Sequence, residues 1–126
     1  MTRVLYVEDE SILAISMEWA MQAQGYTVQV AFDGDQGLDK AKNFHPEIIV
    51  TDFMMPRMDG HTMVRKLRQA GIGAPVIVTT AVPRENLDQQ FLNQIDDYLG
   101  KPFTEPDLIA ALRRVLNTEL DKSPPD

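Results

Sequence analysis

Glu47-Ile48-Ile49-Val50-Thr51-Asp52-Phe53-Met54-Met55-Pro56 is an apolar, β-branched run of strand length that ends on a lone carboxylate and passes into the turn-forming segment Pro56-Arg57-Met58-Asp59-Gly60. A strand in a parallel sheet is buried on both faces, so the first residue able to meet solvent is the one at its carboxyl end, here Asp52. Open α/β sheets bind ligands just outside those ends. Taken alone, Asp52 reads more simply as the start of a turn or a helix cap. Its company elsewhere in the chain changes that reading.

On either side of this stretch the same pattern repeats. Short β-branched runs at Arg3 to Val7, Thr27 to Ala31, Glu47 to Thr51, Pro75 to Thr79 and Asp97 to Leu99 predict strands. Amphipathic stretches at Ser11 to Gln24, Asp35 to Asn43, His61 to Ala70, Arg84 to Asn93 and Glu105 to Leu120 predict helices. Gly25 ends the first helix, Asp33-Gly34 turns into the second, and Gly71 and Gly73 close the third. Strict alternation of strand and helix predicts an α/β fold, a small doubly wound sandwich around a parallel sheet.

Length and composition fit one domain. The 126 residues carry no internal repeat, and 44% hydrophobic and 25% charged residues are ordinary for a globular protein. We expect residues 1–120 to form that domain and residues 121–126, polar and proline-containing, to be a tail or the stump of a linker. No cysteine is present, which excludes a disulfide scaffold and a thiolate metal site. The apolar start Arg3 to Val7 meets acids at once and is too short for a signal-peptide core or a membrane span, so the chain reads as cytoplasmic. A formal charge of −7 without clustered Lys and Arg argues against direct binding of nucleic acid or an anionic membrane.

Chemistry-bearing residues end successive apolar runs. Glu8-Asp9-Glu10 follows the first run, so it meets Asp52 if the first and third strands are neighbours. Two carboxylates ~4 Å apart repel by roughly 4 kcal/mol at an effective dielectric of 20, so such a cluster requires protons or a cation. Mg²⁺ suits oxygen ligands at a site that also receives a phosphoryl group. The bland reading is that these acids only favour the positive end of the following helix. Thr79-Thr80-Ala81 places a hydroxyl at the fourth strand's end, although a β-branched Thr is common in strands for steric reasons. Lys101 ends the fifth run, and Pro102 invites a cis peptide that aims the lysine inward; a surface lysine before a turn is the simpler alternative. An oxygen nucleophile, a metal, an ammonium and a hydroxyl together make a phosphoryl-transfer site.

At these residues the chain resembles the receiver domain of bacterial two-component response regulators. The resemblance rests on Glu8-Asp9-Glu10, on Asp52 followed by Met55-Pro56-Arg57-Met58-Asp59-Gly60, on Thr80-Ala81, and on Tyr98 ahead of Lys101-Pro102-Phe103. It spans Arg3 to about Leu116. It implies a (βα)₅ flavodoxin-like sandwich with strand order 2-1-3-4-5. It further implies that Asp52 accepts a phosphoryl group from the phosphohistidine of a histidine kinase or a histidine phosphotransfer protein. Asp9, Asp52 and the main-chain carbonyl of Met54 would hold Mg²⁺, with Glu8 acting mainly through water. Lys101 would pair with phosphoryl oxygens, and Thr80 and Tyr98 would couple phosphorylation to the face built from the fourth helix, fifth strand and fifth helix. Such a protein is a switch acting on an unknown output protein, not an enzyme with an external substrate.

Three stretches depart from the family pattern. Met54 and Val82 occupy positions that tune how fast water removes the phosphoryl group, and neither side chain orients water strongly, which implies slow self-dephosphorylation. The fourth helix reads Asn93-Gln94-Ile95-Asp96-Asp97 where the family usually carries Gly-Ala before the acidic pair; Asn93 would supply a left-handed cap and Pro83 would fix the helix start. In the first helix, Leu13, Met17, Ala20 and Met21 form the sheet-facing stripe. A second stripe of Ile12, Ile15, Trp19 and Ala23 lies on another face. Ile15 and Trp19 either anchor a partner or a homodimer, or pack under the fifth helix.

Other functions are also open at this level. A phosphorelay intermediate would pass the group on to another histidine. A hydrolase using Asp52 is disfavoured, because Met54 stands where a general acid would be needed. An unphosphorylated scaffold is disfavoured because all the site residues are present. His45 and His61 read as turn and helix-surface residues, with nothing near them in sequence to complete a metal or phosphoryl-carrying site.

Overall fold

The computed structural model describes residues 1–121. The β-branched runs form β1 (Arg3–Val7), β2 (Thr27–Ala31), β3 (Ile48–Asp52), β4 (Val76–Thr80) and β5 (Asp97–Gly100). Between and after them lie α1 (Ser11–Ala23), α2 (Gly34–Phe44), α3 (Gly60–Gln69), a 3₁₀ turn (Arg84–Asn86), α4 (Gln89–Leu92) and α5 (Glu105–Asp121). Every strand pair is parallel, in the order β2-β1-β3-β4-β5. The expected doubly wound α/β sandwich is therefore the fold.

Alternation along each strand divides the interior into two cores. Val4, Tyr6, Val28, Val30, Ile48, Val50 and Ile77 face α1 and α5, where Met17, Met21, Leu108 and Leu112 cover them. Leu5, Val7, Ile49, Val76 and Val78 face the other way, against Ala41, Met63, Val64, Leu67 and Phe91. Strands β3 and β4 are buried along their whole length, as central parallel strands must be.

Local chemistry sets the helix ends. Asp33 accepts from Gln36 N at 2.8 Å and Asp59 from Thr62 N at 2.8 Å, capping α2 and α3. Thr104 and Asp107 exchange hydrogen bonds of 2.9 and 3.3 Å at the start of α5, as a capping box does. Gly71, at φ +80°, ends α3 with a turn that a side chain would strain.

The structure corrects several boundaries. β3 runs through Asp52, because Asp52 pairs with Thr79 and the Phe53 N–H continues the ladder to Thr79 O at 2.9 Å. The predicted fourth helix is broken in two. Leu87 is extended, and the Asp88 side chain accepts from Gln90 N, so a new short helix starts at Gln89. Asn93 is right-handed, at φ −70° and ψ −15°, and supplies no left-handed cap. On α1 the buried residues are Ala14, Met17 and Met21, while Leu13 is half-buried against the same core. α5 extends to Asp121, and the rest of the expected tail, 122–126, lies outside the described residues. Among the described residues no helix is long and apolar enough to cross a membrane.

Candidate functional site

The strand order brings the carboxyl ends of β1, β3, β4 and β5 to one edge, so residues far apart in sequence meet there. Lys101, just past β5, donates from Nζ to Glu8 Oε1 at 2.9 Å and to Asp52 Oδ2 at 3.0 Å. Glu8 is 0% and Asp52 only 5% exposed. The lysine thus bridges two buried acids, which would otherwise repel each other in a poorly solvated pocket. The peptide bond between Lys101 and Pro102 is cis, as the Lys-Pro pair suggested.

The surroundings hold these groups in place. Glu8 Oε2 accepts the Glu10 N–H at 3.1 Å, and Asp52 Oδ1 accepts the Met54 N–H at 3.4 Å. Gly60 permits the close turn after β3: a Cβ there would stand 2.7 Å from the Asp52 carbonyl oxygen. Burial pushes the Glu8 carboxyl up to about 7, against the pull of Lys101 and the Glu10 N–H, with Asp52 adding to the rise. Burial likewise raises Asp52, opposed by Lys101. For Lys101, burial works to lower the pKa, and the two carboxylates outweigh it and leave the ammonium more basic than usual.

Carboxylate oxygens of Glu8, Asp9 and Asp52, one from each, lie within 4.8 Å of one another. Asp9 is exposed at the mouth while its two neighbours are buried. An all-oxygen, acidic set with an open side fits a hard divalent cation that keeps some of its waters. Glu10 stands outside this group, exposed at the start of α1.

Thr80 is buried beside the site, and its Oγ1 accepts the Val82 N–H at 3.1 Å. Tyr98, on β5, donates its hydroxyl to Val82 O at 2.6 Å. Both side chains therefore engage the same residue of the β4–α4 segment. The Arg84 guanidinium stands over the Tyr98 ring, 5.9 Å from its centroid. Sequence reasoning missed Arg84, because its relation to Tyr98 exists only once β5 pairs with β4.

The second α1 stripe faces outward. Trp19 is 69% and Ile15 43% exposed, and with Ile12 and Ser16 they line a shallow surface depression. They do not pack under α5. His45 is a left-handed C-cap of α2 whose carbonyl accepts Arg3 Nε at 2.9 Å, and the His61 ring lies 5.0 Å from that of Phe91. Neither histidine reaches the acidic site.

Fold and site together define a doubly wound α/β domain with an acidic, lysine-bridged centre at the carboxyl edge of its sheet. Residues 4–113 match the family model of the response regulator receiver domain. Response regulator MprA of Mycobacterium sp. (strain KMS) is 36% identical over 126 residues, covering 97% of this chain and 54% of that protein. The chain thus spans about half the length of the curated relatives it matches. The structure of the Francisella response regulator 1452 receiver domain is similar at a TM-score of 0.86 and 31% identity, covering 94% of this chain and 99% of that one. The chemotaxis response regulator CheY4 of Vibrio cholerae follows at 0.85 and 29% identity, covering 91% and 98%. The chain belongs to the response regulator receiver domain family, the receivers of two-component signalling systems. Receiver domains bind Mg²⁺ at an acidic site, and the Glu8, Asp9 and Asp52 oxygens suit that ion.

Proposed function

We propose that Asp52 is the phosphoacceptor of a signalling switch, taking a phosphoryl group from the phosphohistidine of a histidine kinase or histidine phosphotransfer protein. The observation that carries this reading is the buried Asp52 carboxylate, bonded to Lys101 and within reach of Glu8 and Asp9. A carboxylate oxygen of Asp52 attacks phosphorus, the new O–P bond forms as the N–P bond breaks, and the imidazole nitrogen keeps the electron pair. Lys101 supplies a fixed positive charge to the transferring oxygens. Asp9, Asp52 and the Met54 carbonyl would ligate Mg²⁺, with Glu8 ordering water around it. The ion would supply charge neutralisation on the phosphoryl oxygens.

Thr80 and Tyr98 form the switch in this reading, because both side chains bond the backbone of Val82 and so engage one segment between β4 and α4. The exposed Ile15 and Trp19 form the contact surface for the phosphodonor or for a second copy in a homodimer. The output protein is a separate partner reached through α4, β5 and α5.

Intact-mass measurement after incubation with acetyl phosphate, with Mg²⁺ or with chelator, tests the acceptor. A Mg²⁺-dependent gain of one phosphoryl group that Asp52→Asn abolishes is expected. No gain in any condition would favour an unphosphorylated scaffold. Reversible transfer to a histidine phosphotransfer domain would instead place the chain as a relay intermediate.

A further inference from the structure

Tyr6 is fully buried on β1, and its hydroxyl has no hydrogen-bond partner among the described residues. Buried hydroxyls are nearly always paired, and an orphan one is costly. Strand alternation puts Tyr6 on the same face as Glu8, two residues on. Side chains two residues apart on one strand face stand side by side, about 7 Å apart at their bases. Tyr6 pairs in register with Val50, which shares a strand face with Asp52. The phenol lies in the field of the site: burial raises its pKa first, then the charges of Glu8, Asp52 and Glu10.

Glu8 has no need of the phenol in the resting protein. Its Oε1 accepts from Lys101 and its Oε2 from the Glu10 N–H. Lys101, however, divides its ammonium between Glu8 and Asp52. A phosphoryl group on Asp52 brings oxygens that compete for that ammonium, and Glu8 Oε1, on a residue that is 0% exposed, then loses its side-chain donor and keeps only what cation-ordered water supplies.

We propose that Tyr6 is a positioning residue whose hydroxyl is held in reserve beneath Glu8 and donates to the Glu8 carboxylate when Lys101 moves onto a phosphoryl group at Asp52. This inference rests on Asp52 being the phosphoacceptor. No proton is transferred: the phenol keeps its hydrogen and donates it to the carboxylate oxygen that the lysine leaves. The hydroxyl's orphan state at rest is then the cost of a bond made only in the phosphorylated state.

The test compares the full chain with Tyr6→Phe, with and without Mg²⁺ and beryllofluoride as the phosphoryl mimic. Ligand-free, Tyr6→Phe should melt no lower than the parent, since it removes only an unpaired hydroxyl. Its apparent affinity for beryllofluoride should fall about tenfold, the size expected of one hydrogen bond to a charged group. A purely structural role would change both states alike. Equal affinity in the two proteins, or a lower ligand-free melting temperature for Tyr6→Phe, would overturn the role of Tyr6 alone. Absence of any beryllofluoride effect in the parent would remove the phosphoacceptor reading and this inference with it.

Discussion

The ammonium of Lys101 stands 3.0 Å from Asp52 Oδ2, closing a 49-residue separation in sequence. The same ammonium also pairs with Glu8 at 2.9 Å, so one positive charge stands between two buried carboxylates. Removing it leaves two buried carboxylates facing each other.

Lys101→Met should therefore lower stability by about 2–4 kcal/mol at pH 8 in chelator, somewhat under the range for a fully buried pair because the lysine is partly solvated. Urea unfolding of both proteins measures the difference. Added Mg²⁺ should recover part of it, because a second positive charge then enters the cluster. A variant as stable as the parent in chelator would show that the bridge contributes little.

Glu8 predicts a pH dependence. Its folded pKa, about 7, is raised above the ordinary 4.5, so the folded state loses stability as pH rises from near 4.5 through about 7. Below that window the carboxyl is protonated in both states. In chelator, Glu8→Gln should gain on the parent by about 1–3 kcal/mol between pH 4.5 and 7.5. A stability difference that stays flat across this range would contradict it.

Gly60→Ala should cost about 1–3 kcal/mol, because the new Cβ would meet the Asp52 carbonyl at 2.7 Å and Phe53 Cα at 3.0 Å, both backbone atoms that give way poorly. The same displacement would shift Asp52, so acetyl-phosphate labelling should slow as well. Thermal melting and intact mass, run side by side, check the pair of effects.

Met54 is 62% exposed next to Asp52, and its side chain offers water no strong hydrogen bond. Replacing Met54 by Asn and Val82 by Glu together should shorten the lifetime of the phosphorylated state severalfold. Loss of the added phosphoryl mass over time gives the rate, and an unchanged lifetime would discard the role of the apolar pair.

Trp19→Ala should leave stability within about 0.5 kcal/mol of the parent, since Trp19 is 69% exposed, and Ile15→Ala, at a residue 43% exposed, should cost no more than about 1 kcal/mol. Phosphotransfer from the cognate histidine protein, or self-association, should fall, while labelling by acetyl phosphate stays unchanged. Undiminished transfer and an unaltered oligomeric state would assign the contact to another surface.

Much of this was legible before any coordinates. Runs such as Ile48 to Thr51 and Val76 to Thr80 are continuously β-branched or apolar, and only strands covered on both faces need that. A buried strand must end where it meets solvent, so Asp52, Thr80 and Lys101 were readable as edge residues. The split near Leu87 was not legible, because Arg84 to Asn93 carries helical spacing and only the backbone shows Asp88 starting a new helix. The Ile12, Ile15, Trp19 and Ala23 stripe was equally ambiguous: periodicity marks a face, and it does not say whether another helix covers that face.

The sequence by itself determined the alternation of elements, the acids and the lysine at strand ends, and, through its resemblance, the family. Tertiary structure alone decided how those groups meet. It set Lys101 between Glu8 and Asp52, turned Tyr98 and Thr80 onto Val82, and left the buried Tyr6 hydroxyl without a hydrogen-bond partner among the described residues. The physical reason is that periodicity and turn chemistry act over a few neighbouring residues. Hydrogen bonds, ion pairs and desolvation depend on which strands lie side by side, and that is set by packing across the whole sheet.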